Sequence, residues 1–227
     1  MSHKDYVYFV LSADIFYRIK DIIFLNKKLK EAKNNFDSSL YVLSRSVLET
    51  FIFLKYLLCE QNKITLRLHA FICHSSKNDI NMLNALKLLG ENNKFIFNKD
   101  DKNILSLKMI IEKISEWQED INERKTAKTI NTSELEKEIK ILGNIKKVSE
   151  EYDKINQIDK VIEGEENKSL EWMYDYVYKF QCMSAHQNLR DKEKVFKLYT
   201  ENKKAPNNIH ILGLLEDISK QIINLGK

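Results

Sequence analysis

The 227-residue sequence contains one proline and five glycines, well below the ~5% and ~7% of ordinary proteins. These two residues punctuate strands, tight turns and helix ends, so their scarcity argues against a turn-rich sandwich or barrel and for long helices with polar joints. Cysteine is also scarce: Cys59, Cys73 and Cys182 are widely separated, with no CxxC and no zinc-ligand spacing. Such an odd, scattered set excludes a disulfide framework and reads as reduced core thiols, which favours a cytoplasmic address.

Also missing is any run of about 20 mainly apolar residues, the length that spans a bilayer. The basic start, apolar run and small-residue cleavage site of a signal peptide are absent too. The most apolar early stretch, Tyr6 to Ile23, is interrupted by Asp14, Arg18, Lys20 and Asp21. Charge of one sign is lacking as well: 37 basic against 33 acidic residues leave +4, so nucleic-acid binding would need a local basic patch. There is no GxxxxGK[ST] or GxGxxG phosphate loop, no HExxH, no paired ExxH and no carboxylate cluster at ligand spacing. These absences set aside ATPase, dehydrogenase and metallohydrolase readings, and no metal or cofactor is expected.

What is present is helical periodicity. The fold class expected is all-α, a single helical bundle of six to seven helices over residues 1–227, with a core of about 4–97 and 165–227 and a charged helical insertion of about 100–165. A first helix, about 4 to 35, carries Phe9, Ala13, Phe16, Ile19, Ile23 and Leu29 near helical spacing as its core face. Asp37, Ser38 and Ser39 offer N-caps for a second, about 38 to 60, so apolar that it belongs in the middle of the bundle. A third runs from Leu66 to about Leu89, stopped by Gly90 and the polar residues after it. A fourth, Lys102 to about Lys125, presents Ile104, Leu107, Ile110, Ile111, Ile114 and Trp117.

Thr132-Ser133-Glu134 resembles a helix start, with the helix reaching about Asn156. From Glu123 to Lys168, ten basic and eleven acidic residues make a segment that reads as a solvated hairpin rather than a core element. Ser169 opens a strongly aromatic helix, about 169 to 190, and the last helix, about 208 to 224, places Ile211, Leu214, Leu215, Ile218 and Ile222 on one face.

Three groups of residues have the chemistry for a site. Arg45 and Glu49 are four apart on the second helix and share a face. Buried charge in so apolar a setting costs several kcal/mol unless paired, so the two are either an internal bridge that fixes helix register or a ligand-holding or catalytic pair. His186 follows the aromatic stretch Tyr174 to Phe180; an imidazole there is either a hydrogen-bonded core or capping residue or a general acid/base near neutral pH. Around it, Tyr178, Ser184, Asn188 and Arg190 are candidate substrate-binding residues, and the stretch Arg190 to Lys204 holds six basic against three acidic residues. That stretch is either solvated surface or a funnel for a nucleic-acid backbone.

The third group is Arg67 and His74, with six residues between them, nearly eclipsed after two helical turns. This spacing resembles the Arg-x(4-6)-His signature of HEPN ribonucleases, at its upper limit and with Leu68 where that family carries a polar residue. The resemblance implies metal-independent chemistry on an RNA 2′-hydroxyl and the scissile phosphate, with Arg holding the phosphate bidentately and His moving a proton. It also implies a homodimer, because HEPN sites are often built across two subunits.

The Arg45-x(3)-Glu49 helix and the late Tyr174-Asp-Tyr-Val-Tyr178-Lys-Phe-Gln-Cys-Met-Ser184-Ala-His186 run together resemble domain of unknown function 5677. The likeness spans about 10–90 and 165–200 and implies a helical bundle with a site but no named reaction. HEPN-like toxins and antiphage effectors are similar sparse helical families. The function expected is therefore an RNA-cleaving or RNA-binding protein of a toxin or phage-defence system, with Arg45, Glu49 and His186 as its site and Arg67 with His74 as the competing pair. The alternative is a non-catalytic interaction protein, an antitoxin or adaptor subunit with a protein partner.

Overall fold

Helices make up the regular structure of the computed structural model, which describes residues 2–31, 38–92, 107–127, 130–158, 169–178 and 209–226. No strand occurs among them, and the protein is all-α. The helices are α1 (His3–Glu31), α2 (Ser38–Leu58), α3 (Ile64–Asn92), α4 (Leu107–Thr126), α5 (Thr132–Leu142), α6 (Ile145–Ile155), α7 (Leu170–Trp172) and α8 (Ile209–Leu225). α7 continues directly into a single π-helical turn, Met173–Tyr178. They form two compact units, one of residues 1–61 with 145–227 and one of residues 62–144.

The first unit is organised by α2, which packs on α1, α6, α8 and the π-turn. Its Leu40, Ser44, Val47, Leu48, Phe51, Ile52, Leu54, Tyr56 and Leu57 are all buried, as an apolar helix with neighbours on several sides requires. Lys55 is one of its few charged residues. Its ammonium stands 5.4 Å from the centre of the Tyr152 ring on α6 and 5.9 Å from that of Phe51, and donates to Gln221 Oε1 on α8 at 3.5 Å. Between α1 and α2 a polar clasp forms, with Arg18 reaching Asp14 Oδ2 at 2.8 Å and Ser46 Oγ at 2.6 Å. At the far end of the chain, Gly226 lies so close to Tyr8 that a methyl group in its place would overlap the phenol.

α1 differs from the sequence expectation in its orientation. Val7, Ser12, Ile15, Ile19, Ile22, Asn26 and Leu29 are buried, whereas Phe9, Phe16 and Ile23, expected in the core, are exposed. The helix is apolar on two sides, and periodicity by itself does not say which side α2 covers.

The second unit is a three-helix cluster in which α3 packs along α4 and α5. Its core holds Leu68, Ala70, Cys73, Ile80 and Leu83 of α3, Ile110, Ile114 and Ile121 of α4, and Leu135, Ile139 and Leu142 of α5. α3, expected in the core, thus belongs with α4 and α5, while α6, expected in the charged insertion, packs on α2.

Other expectations are corrected locally. α3 runs through Gly90 to Asn92, because one glycine costs only about 1 kcal/mol in a helix interior. The helix expected from Thr132 to Asn156 is two, broken at Gly143 and Asn144, where the Gly143 N–H returns to Ile139 O. Its N-cap is Asn131, whose Oδ1 accepts from Ser133 N at 2.9 Å and Glu134 N at 3.3 Å. The charged segment is not merely a solvated hairpin: Leu135, Ile139, Val148 and Tyr152 are buried, since every third or fourth residue is apolar whatever lies between.

Candidate functional site

Arg45 and Glu49 lie one turn apart on α2, both half-buried, on the side that meets the π-turn. Opposite them is Tyr178, 6% exposed. The Arg45 Nη2–H donates to the Tyr178 hydroxyl at 3.0 Å, and that hydroxyl donates to Glu49 Oε2 at 3.4 Å. The phenol is thereby polarised between a cation and an anion. The guanidinium carbon stands 5.0 Å from the centre of the Tyr178 ring, within the range of cation–π attraction. Tyr174 stacks on Tyr178 at 5.1 Å between ring centres and 22° between planes.

The turn that presents these tyrosines is anchored from a distance. Ser169 caps α7, its Oγ accepting from Trp172 N at 3.1 Å. Asp153 of α6 then accepts from Ser169 Oγ at 2.6 Å and from the N–H groups of Leu170 and Glu171, both at 2.9 Å. Asp153 and Ser169 are both buried, so this is an internal anchor in which a carboxylate satisfies the first free donors of a helix. Sequence reasoning assigned Asp153 to the solvated segment and missed it. No local pattern marks an aspartate that caps a helix 16 residues further on.

Next to this anchor, burial pushes the Tyr152 phenol up to about 12 from the usual 10. Cys59, half-buried just past the end of α2, donates its thiol proton to Tyr56 O at 3.2 Å.

The second unit holds the competing pair. Arg67 is 1% exposed, its Nε 3.8 Å from Glu138 Oε2 on α5, and Glu138 is buried too. Seven residues further along α3, roughly 10 Å at 1.5 Å per residue, the half-buried His74 accepts at Nε2 from the Asn78 amide at 3.1 Å. Arg67 is thus turned into the packing between α3 and α5. His69 is half-buried, and its Nδ1 lies 3.2 Å from Arg124 Nη1, while Arg124 Nε donates to Asp120 Oδ2 at 2.8 Å. Because a guanidinium only donates, His69 Nδ1 is the acceptor in this contact. Burial raises the Cys73 thiol above its usual value. A polar cleft of about 480 Å³ opens between α3 and α4, lined by Lys77, Asn81, Gln118, Asn122 and Lys125 with Ile80 and Ile121.

Among the described residues no three His, Cys, Asp or Glu side chains converge as a metal site would require, and no helix is long and apolar enough to cross a membrane. Ser184, His186, Asn188 and Arg190 lie outside the described residues. Of the residues singled out in the sequence, the structure therefore brings together Arg45, Glu49 and Tyr178, and places Arg67 against Glu138 and His74 beside Asn78 on the same helix.

Comparison with known proteins gives one family. The model described as "Family of unknown function (DUF5677)" matches residues 29–205, more than three-quarters of the chain and the whole of the Arg45, Glu49 and Tyr178 cluster. No curated protein and no solved structure matches.

Proposed function

Because this chain belongs to the DUF5677 family, whose description names no activity, we propose from its own side chains that it binds RNA and cleaves it without a metal, at the Arg45–Tyr178–Glu49 cluster. The observation that carries the reading is the Tyr178 hydroxyl held between the Arg45 guanidinium and the Glu49 carboxylate. A cation fixed through a phenol to a carboxylate supplies a positioned ligand for a phosphate oxygen, where charge develops as a phosphodiester is cleaved. Arg45 takes a phosphate oxygen, since guanidinium geometry matches phosphate. Glu49 positions the phenol and, through it, Arg45.

His186, eight residues beyond Tyr178 in the sequence, is the proton carrier in this reading. It takes the 2′-hydroxyl proton as that oxygen attacks phosphorus and returns a proton to the departing 5′-oxygen, leaving a 2′,3′-cyclic phosphate. Half-buried Tyr174, stacked on Tyr178, offers a ring on which an unpaired base rests. Ser184, Asn188 and Arg190 belong to the same stretch and supply further contacts to the strand. Arg67 and His74 are the lesser candidates, because the Arg67 side chain is enclosed against Glu138. The setting that the HEPN likeness brings is a bacterial toxin or phage-defence system. The compartment is the cytoplasm, in keeping with Cys59 and Cys73, neither of which forms a disulfide.

The test is RNA integrity and growth after induced expression, with the purified chain incubated on single-stranded RNA in parallel. Wild type is expected to degrade RNA, and Arg45→Ala and His186→Ala to abolish it while the Arg67→Ala/His74→Ala chain retains it if it folds. Intact RNA with every chain, in cells and in the tube, would overturn the reading in favour of a non-catalytic interaction protein. That second reading has its own support in the exposed apolar side of α1.

A further inference from the structure

α1 carries two apolar stripes. One is buried: Ile15, Ile19, Ile22 and Leu29 face α2. The other is open to solvent and consists of Tyr6, Phe9, Val10, Phe16, Tyr17, Ile23 and Phe24, with Phe9 67%, Tyr17 69% and Phe24 63% exposed. At ~100° per residue the second stripe lies roughly 160° round the helix from the first.

Its extent is unusual for a free surface. Taking ~150–250 Å² for a whole aromatic side chain, the exposed fractions of these seven side chains amount to on the order of 700 Å². That exceeds the ~300–600 Å² of the largest apolar patch on a typical monomer and approaches the ~800 Å² that one partner brings to a standard interface.

The spacing says what kind of surface fits it. The pairs Phe9-Val10, Phe16-Tyr17 and Ile23-Phe24 recur every seven residues, the period at which one helix keeps a constant side toward another and supercoils with it. All of the stripe but Tyr6 is also symmetric about the point between Phe16 and Tyr17. Laid antiparallel on itself across a twofold axis at that point, it sets Phe9 against Phe24, Val10 against Ile23 and Phe16 against Tyr17. A twofold contact demands this kind of self-complementarity.

Charge selects the direction. Lys20 and Lys27 lie along the same side, and a parallel pairing in register would stack each on its own copy. The antiparallel pairing sets Lys20 against Ala13 and Lys27 against Tyr6, where the lysine stems cover apolar surface and the ammonium groups reach water.

We propose that the outer face of α1 is the interface of a homodimer, in which two copies of this chain pair antiparallel with their twofold axis between Phe16 and Tyr17. The inference is independent of the RNA reading, since it uses no residue of the Arg45–Tyr178–Glu49 cluster.

The experiment is sedimentation and light-scattering mass measurement of the full chain from about 1 to 100 µM, the concentrations at which a K_d of ~1 to 10 µM is readable. The wild type is expected at twice its 26.9 kDa chain mass. Phe16→Glu/Tyr17→Glu, changed at positions exposed in the monomer, is expected at the single mass with unaltered helicity and melting of the remaining fold. A monomeric wild type overturns the proposal and means that another segment or a different partner covers α1. A double variant that still dimerises overturns it as well.

Direction is tested separately, on a background with the three native cysteines changed to alanine. Phe9→Cys and Phe24→Cys chains, mixed and oxidised, are expected to cross-link with each other at least ten times more than either does with itself. Preferential cross-linking of Phe9→Cys to itself overturns the antiparallel pairing.

Discussion

Arg67 and Glu138 meet across α3 and α5 with Nε and Oε2 3.8 Å apart and both side chains almost wholly removed from water. The pair spans 71 residues of sequence within a single compact unit. Cutting it from one side leaves a buried charge uncompensated. Arg67→Ala is expected to lower the stability of that unit by about 3–5 kcal/mol, whereas Arg67→Met with Glu138→Leu restores most of the loss. Urea unfolding followed by circular dichroism checks both, and an Arg67→Ala protein as stable as wild type would show that the pair does not hold α3 to α5.

Asp153 is the anchor of α7 and the π-turn, with three hydrogen bonds into Ser169, Leu170 and Glu171. Asp153→Ala strips two backbone donors and a hydroxyl of their acceptor. The expected cost is about 2–3 kcal/mol, against about 1 kcal/mol for Ser169→Ala, which removes one cap. Thermal melting of the two variants side by side measures the difference, and equal melting points would mean that Ser169 alone carries the cap.

Tyr178→Phe keeps the ring over Arg45 and removes only the hydroxyl that joins Arg45 to Glu49. Stability is expected to fall by only about 1 kcal/mol, while RNA cleavage falls by about 10²-fold or more. Single-turnover cleavage beside a melt separates the two effects. Loss of fold without a specific loss of rate would assign Tyr178 to packing.

Tyr152 supplies the pH dependence. Burial raises its phenol to about 12 from 10, so the folded state holds that proton more tightly than the unfolded chain. Its contribution to stability is complete below pH 10 and is lost as pH rises toward about 12. Tyrosinate absorbance should show Tyr152 titrating after the exposed tyrosines, and Tyr152→Phe should abolish its share of the alkaline loss. Ionisation of Tyr152 together with the exposed tyrosines would contradict its burial.

The all-α class was legible because glycine and proline are scarce and apolar residues recur at three and four. Arg45 and Glu49 were legible for a similar reason, as two charges in an apolar helix are conspicuous. What failed depended on long-range packing. α1 offered two apolar stripes, and only the fold decides that Ile15 and Ile22 go inward while Phe9 and Phe16 stay out. The charge count from Glu123 to Lys168 hid Leu135, Ile139, Val148 and Tyr152, which keep helical spacing among their charged neighbours.

Within the site, the role of Tyr178 as a bridge was not legible, because it joins residues 129 and 133 positions apart in the chain. Arg67 and His74 are a different case. Their spacing fits a motif, yet the motif takes no account of Glu138, which draws the arginine into the packing.

The π-turn at Met173–Tyr178 acts as a phase adjuster. A π-turn fits an extra residue into roughly the rise of an α-turn, and so fixes the angle at which Tyr178 leaves the helix that Ser169 begins. Wound as ordinary α-helix at the same length, the segment would carry Tyr178 about 100° further round the axis, off the ridge that Arg45 and Glu49 form. Substitutions that keep the winding leave the aim intact. For this segment the winding matters as much as the residues, because losing one residue with a return to α-helix keeps Tyr178 aimed, whereas α-winding at full length disconnects the cation from the carboxylate.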